Sequence, residues 1–178
     1  MCKSIFLKAL LLIISFSTFS QVEQDSISTD EKVRKHTFGV MIGYSWIIQN
    51  NESSENSLTI PTIGLDYGFW FNRQMAILMV NDLEMSQYVI ESYDGELITR
   101  ENKYVGALTF AYEPFENIGF YAGPGIELDS EEQFLLFKVG TEIGKKFEDG
   151  WAVGLNASID INKAYATISS GIMVSKRL

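Results

Sequence analysis

The chain has 178 residues, length for one domain or for one domain plus a processed segment. Aromatics are 13% of it, with 14 glycines and 3 prolines, a mix that favours β-structure with tight turns over a helical bundle. A net charge of −9 repels phosphate backbones and excludes nucleic acid as a partner, while a single cysteine (Cys2) and a single histidine (His36) exclude a disulfide framework, a Cys-based zinc site and a multi-histidine metal site.

Residues 1–21 carry Lys3 and Lys8 ahead of a short apolar run, Leu10 to Ile14 with Phe16, followed by the small residues Ser17, Thr18 and Ser20. This pattern predicts a secretory signal peptide, cleaved on export. The run is shorter than the roughly 20 residues of a transmembrane helix. Cys2 precedes the run, where it cannot serve as a lipoprotein cysteine. Residues 22–36 are polar and have neither a helical nor a strand period, so they are expected to form a flexible leader.

From residue 37 to the end the dominant period is two. In residues 37–48, Phe38, Val40, Ile42, Tyr44, Trp46 and Ile48 alternate with Thr37, Gly39, Met41, Gly43, Ser45 and Ile47. The same alternation recurs around residues 63–69, 104–112, 120–127, 135–144, 151–160 and 167–174. Residues 75–90 are noisier, with Asp82 and Glu84 set against Leu83 and Met85, and are read as one further strand. That makes eight strands. Pro61 is expected to mark a bulge or a strand end, and Pro124 to need a bulge or a local gap in its ladder.

The face opposite the large residues is mostly Gly, Ala, Ser and Thr. Such a face is too small to cover a soluble protein, but it fits the tight interior of a small closed barrel. The large residues then face lipid, and the backbone must close on itself because hydrocarbon offers no water. Short turns at residues 71–74, 114–117 and 148–150 alternate with more polar loops at 49–57, 92–96, 129–132 and 162–163. With a periplasmic N-terminus the turns are periplasmic and the loops external. Tyr44, Trp46, Tyr67, Trp70, Tyr104, Tyr112, Phe120 and Trp151 fall toward strand ends, as aromatic girdles do.

The predicted fold is therefore all-β, an eight-stranded antiparallel up-and-down transmembrane barrel over residues 37–178. This pattern, with the segment Asn117-Ile118-Gly119-Phe120-Tyr121-Ala122-Gly123-Pro124-Gly125, resembles the small outer-membrane β-barrels of the OmpA/OmpX type and the porin-family barrels. The resemblance implies a Gram-negative outer-membrane location and lipid as the surrounding partner. The chain is read as a monomer, with no specific protein or ligand partner identified.

Parity points Asp66, Asp82, Glu84, Lys103, Glu127, Lys138, Glu142 and Asp160 into the barrel. Eight strands leave an interior only just wide enough for side chains, so these are read as a structural ion-pair network that plugs the lumen. A proton or ion path is the other reading of the same residues. Glu131-Glu132 matches no metal motif, and residues 129–132 read as a solvated loop. His36, at the wrong end for a lipid-facing triad, does not support a Ser/His hydrolase. No catalytic, cofactor-binding or metal residue is assigned, and no cofactor is expected. The expected role is non-enzymatic: structural, adhesive or surface-binding. A small pore, a ligand-binding barrel and a secreted lipocalin-like binder with reversed faces are the alternatives.

Overall fold

A computed structural model describes residues 34–48, 58–129 and 133–178. The predicted signal peptide, most of the leader and the Glu131-Glu132 pair lie outside the described residues. Ten strands follow one another: β1 (His36–Ile48), β2 (Thr59–Trp70), β3 (Met75–Glu84), β4 (Gln87–Glu91), β5 (Leu97–Glu101), β6 (Tyr104–Phe115), β7 (Ile118–Leu128), β8 (Gln133–Lys146), β9 (Trp151–Asn162) and β10 (Ala166–Arg177). Eight of them close into a barrel in the order β1-β10-β9-β8-β7-β6-β3-β2, every pair antiparallel. His36, assigned above to the leader, pairs with Phe69 and opens β1. The barrel strands run 10 to 14 residues, enough for the roughly 9–11 that a tilted spanning strand needs.

The faces are inverted relative to a soluble protein. Ile42, Leu65, Leu108, Leu155 and Ile172 are all exposed on the outer wall, while Ser45, Thr62, Thr109, Ser158 and Ser169 are buried inside. Successive side chains of a strand point to opposite faces, so this follows directly from the period-two pattern. Trp70 departs from its girdle assignment. In β2 it shares the inward parity of Asp66 and Gly68, is buried, and donates from Nε1 to Thr37 Oγ1 at 2.9 Å.

Pro61 sits inside β2 in unbroken register with β1, opposite Tyr44, with no bulge. It lies just past Thr62–Glu84, the last β2–β3 pair, and its carbonyl accepts from Met85 N at 2.9 Å. Its missing N–H therefore falls where the ladder has already ended. Pro124 is accommodated by a gap. β7 stays in register with β8, whereas the β6–β7 ladder is interrupted between Ala107–Gly125 and Phe110–Ala122 without a shift. A Cβ on Gly123 would meet Leu108 O at 2.1 Å, so only glycine lets the two backbones approach at that gap.

The stretch read above as a single strand over residues 75–90 is two strands, and the second belongs to a separate two-stranded sheet with β5. Leu83 pairs with Tyr104 and Gln87 with Glu101, so Glu84, Met85 and Ser86 stand against Lys103 and Asn102. The one extra residue bends the ribbon, and Asn102 turns it at φ 48°. Residues 92–96, expected to be a loop, are the tip of the resulting hairpin. Tyr93 N donates to Ala164 O at 2.9 Å. Ala164 lies between β9 and β10, three strands from the hairpin's root in either direction around the barrel. The hairpin therefore crosses the barrel mouth and fastens to the opposite wall.

Candidate functional site

The lumen is filled in three tiers, and the residues predicted to point inward divide among them. The middle tier centres on Lys138, whose Nζ lies 2.9 Å from Asp82 Oδ2 and 2.8 Å from Asp160 Oδ1. Asp160 is its register partner on β9, but Asp82 reaches it from β3, across the lumen. Asp66 faces the same group from β2, half-buried, within electrostatic range of Asp82 and Lys138. Below them Tyr121 spans the interior and donates its hydroxyl to Asn156 Oδ1 at 3.1 Å. Its ring covers Gly140, where a Cβ would meet Tyr121 Cζ at 2.2 Å.

The tier at the mouth holds Glu84, Lys103 and Glu127. Lys103 Nζ lies 3.0 Å from Glu84 Oε1 and 3.6 Å from Glu127 Oε2, all three side chains being at most 1% exposed. Arg100 joins them from the hairpin. Its guanidinium reaches Glu127 Oε1 at 3.2 Å and Asp129 Oδ2 at 2.6 Å, and its Cζ stands 4.5 Å over the Phe134 ring and 5.6 Å over that of Tyr165. Tyr88 donates to Glu84 Oε2 at 2.9 Å, and Tyr165 donates to Glu127 Oε1. Burial, with Glu84 beside Tyr88 and Glu127 beside Tyr165, pushes both hydroxyls well above the usual phenol range, so both remain donors. The hairpin alternates strictly: Tyr88, Ile90, Ile98 and Arg100 are buried beneath it, and Val89, Leu97, Thr99 and Glu101 are exposed above. Its underside packs on Ile47, Ile60, Leu58, Phe134, Ala164 and Tyr165. The interior at the mouth is therefore apolar around its charges, unlike the small-residue face read from the strands.

Glu142 belongs to the third tier, at the end where β1 begins and β10 finishes. It lies within electrostatic range of Glu113, Lys146 and Arg177. Lys146 pairs with Glu113, and Arg177 stacks with Cζ 3.5 Å over the Trp70 ring. Turns between β2 and β3, β6 and β7, and β8 and β9 surround a cleft of about 510 Å³ there, lined by Arg73, Glu113, Phe115, Lys146 and Phe147 among others. His36 sits on the same rim, exposed, with Nδ1 2.8 Å from the Tyr67 hydroxyl. Among the described residues no three His, Cys, Asp or Glu side chains are grouped as a metal set.

The parity reading missed Arg100, Asp129, Tyr88 and Tyr165. Asp129, assigned to a solvated loop, has its side chain fully buried against Arg100. The available signal was the pair of alternating stretches at 87–91 and 97–101 around Asp94-Gly95, a hairpin-turn dipeptide.

A closed up-and-down barrel with an apolar exterior and a polar, side-chain-filled lumen is a small transmembrane β-barrel of the outer-membrane type. Among solved structures it is similar to neisserial surface protein A, with TM-score 0.53 and 7% identity over 80% of this chain and 97% of that one. It is similar also to Ail, the attachment invasion locus protein of Yersinia pestis, in complex with the heparin analogue sucrose octasulfate, with TM-score 0.54 and 11% identity over 81% and 98%. A third is the outer membrane protein OprG from Pseudomonas aeruginosa, with TM-score 0.51 and 8% identity over 82% and 98%. No protein-family model and no curated protein matches the sequence.

Proposed function

We propose that this chain is a non-enzymatic outer-membrane barrel with a surface-binding role and a lumen closed by its own side chains. The observation that carries the reading is the pairing of an apolar outer wall with an ion-paired interior. Leu155 and Ile172 stand exposed outside, while Lys138 is held inside by Asp82 and Asp160 from opposite walls. Each solved barrel named above is an outer-membrane or surface protein, which supports the location. On this reading residues 1–21 direct export and are removed, and N-terminal sequencing of the membrane form should begin at or near Val22.

The external side differs in charge from what a heparin-like polyanion needs. Among the described residues it carries Glu91, Asp94, Glu96 and Glu101 against Lys163, because Arg100 and Lys103 are engaged inside. A surface of this sign favours cationic or neutral partners.

Planar-bilayer conductance of the refolded protein tests the closed lumen. The expected trace shows no stable open channel, and a steady ion-selective current abolished by Lys138→Ala would make the chain a pore instead. Heat-modifiable mobility on gels, together with membrane fractionation, tests the barrel in lipid; a soluble protein with no shift on boiling would reverse the faces. Leu155→Arg places a charge on the outer wall near mid-strand, where it should cost about 2–4 kcal/mol of folding in vesicles.

A further inference from the structure

The hairpin of β4 and β5 behaves as a ligand of the barrel that happens to be covalently attached. Without it, the mouth is a cup of Ile47, Ile60, Phe134 and Tyr165 around three carboxylates, Glu84, Glu127 and Asp129, with Lys103 among them and Lys163 Nζ 5.4 Å over the Phe134 ring. The hairpin supplies an apolar underside and a single guanidinium. That guanidinium is fully buried, faces two carboxylates and lies over two aromatic rings. Carboxylates for the charge and π-faces for the plane are the elements with which proteins recognise guanidinium groups.

We propose that the barrel mouth is a binding pocket for an organic cation carried on an apolar body, that Arg100 occupies it in the closed state, and that such a ligand enters by displacing the hairpin. This deepens the surface-binding reading and relies on it only for the side of the membrane that the mouth faces. The hairpin is held to the barrel backbone at its root and at its tip. Its root is the one-residue bulge at Glu84–Ser86 and Asn102, and its tip is fastened to the far wall by Tyr93 N donating to Ala164 O. Tyr93 is the second residue of a turn closed by Gly95 N donating to Ser92 O at 2.9 Å, a position that accepts proline. Tyr93→Pro therefore removes the fastening N–H and leaves both the turn and the pocket intact.

The test uses the full mature chain refolded in detergent micelles, with phenethylguanidinium as probe and phenethylurea as its uncharged counterpart. Titration calorimetry should show the guanidinium binding Tyr93→Pro about tenfold more tightly than wild type, the effect of one lost hydrogen bond on the competing hairpin. Tyr93→Ala, which keeps the N–H, should match wild type. In wild type, saturating probe should speed hydrogen exchange across residues 87–101. No binding to either protein, equal binding of the urea, equal gains from Pro and Ala, or binding that leaves hairpin exchange unchanged would each overturn the proposal. Micelle binding tests the pocket alone. Insertion into vesicles, measured separately, tests the membrane reading, so the two fail independently.

Discussion

The two ends of the lumen are both lined by ion pairs, yet they are different kinds of structure. At the mouth, Arg100, Lys103, Glu84 and Glu127 have side chains at most 1% exposed, and a hairpin roofs them with apolar residues. At the end where β1 begins and β10 finishes, Lys146 is 41% exposed, Arg177 23% and Glu113 16%. Buried charges are expensive to leave unmatched, so at the mouth each partner depends on the others. Charges open to water can be re-solvated when a partner is lost, so at the other end each pair contributes little. The presence of a salt bridge decides less than whether something covers it.

Substitutions at the two ends should separate that difference. Glu127→Ala leaves Arg100 and Lys103 short of a shared carboxylate and should lower stability by about 3–5 kcal/mol, read as the urea midpoint of the folded barrel in micelles. Arg100→Met, which keeps bulk under the hairpin, should cost about 1.5–3 kcal/mol, because Glu127 and Asp129 lose a charged donor. Arg177→Ala at the far end removes a stacked cation from Trp70 and should cost about 1 kcal/mol. Lys146→Ala should stay within about 0.5 kcal/mol of wild type, given its exposure. If Lys146→Ala proved as damaging as Glu127→Ala, cover would not be what distinguishes the two ends.

Most of the barrel was legible because one physical rule governs it. Strands that separate lipid from a narrow lumen tend to alternate large and small, and β9 does so most cleanly, with Trp151, Val153, Leu155 and Ile161 outside against Ala152, Gly154 and Ser158 inside, whereas Met41 in β1 and Leu136 in β8 are large residues on the inward face. The same parity placed Asp82, Lys138 and Asp160 on one side of the wall, though only the closed sheet could show that Asp82 meets Lys138 from across the lumen. The rule fails where the chain leaves the membrane. The underside of the β4–β5 hairpin and its seat at Ile47 and Ile60 are large and apolar on the inward face, because there the neighbour is another part of the chain rather than a packed row of small residues. Arg100 was overlooked because residues 97–101 were assigned to no strand, so no parity was applied to them. Trp70 shows the complementary limit, since nearness to a strand end says nothing about which side a side chain takes.

The bulge at the root of the hairpin has a consequence for how such a protein can diversify. Three residues, Glu84 to Ser86, stand opposite two, Asn102 and Lys103, and that single surplus separates the β3–β6 register from the β4–β5 register. Deleting one of Met85 and Ser86 puts both ladders in step. The ribbon can then continue straight, and β4 and β5 extend the barrel wall by about five residues, roughly 17 Å of free-standing sheet above the mouth. A three-nucleotide deletion would thus convert an inward-folded hairpin into a projecting one. By parity it would turn Tyr88, Ile90, Ile98 and Arg100 to the face continuous with the barrel's outer wall and leave Glu127 and Asp129 open to solvent. The distance between a barrel that covers its mouth and one that displays a blade is a single codon.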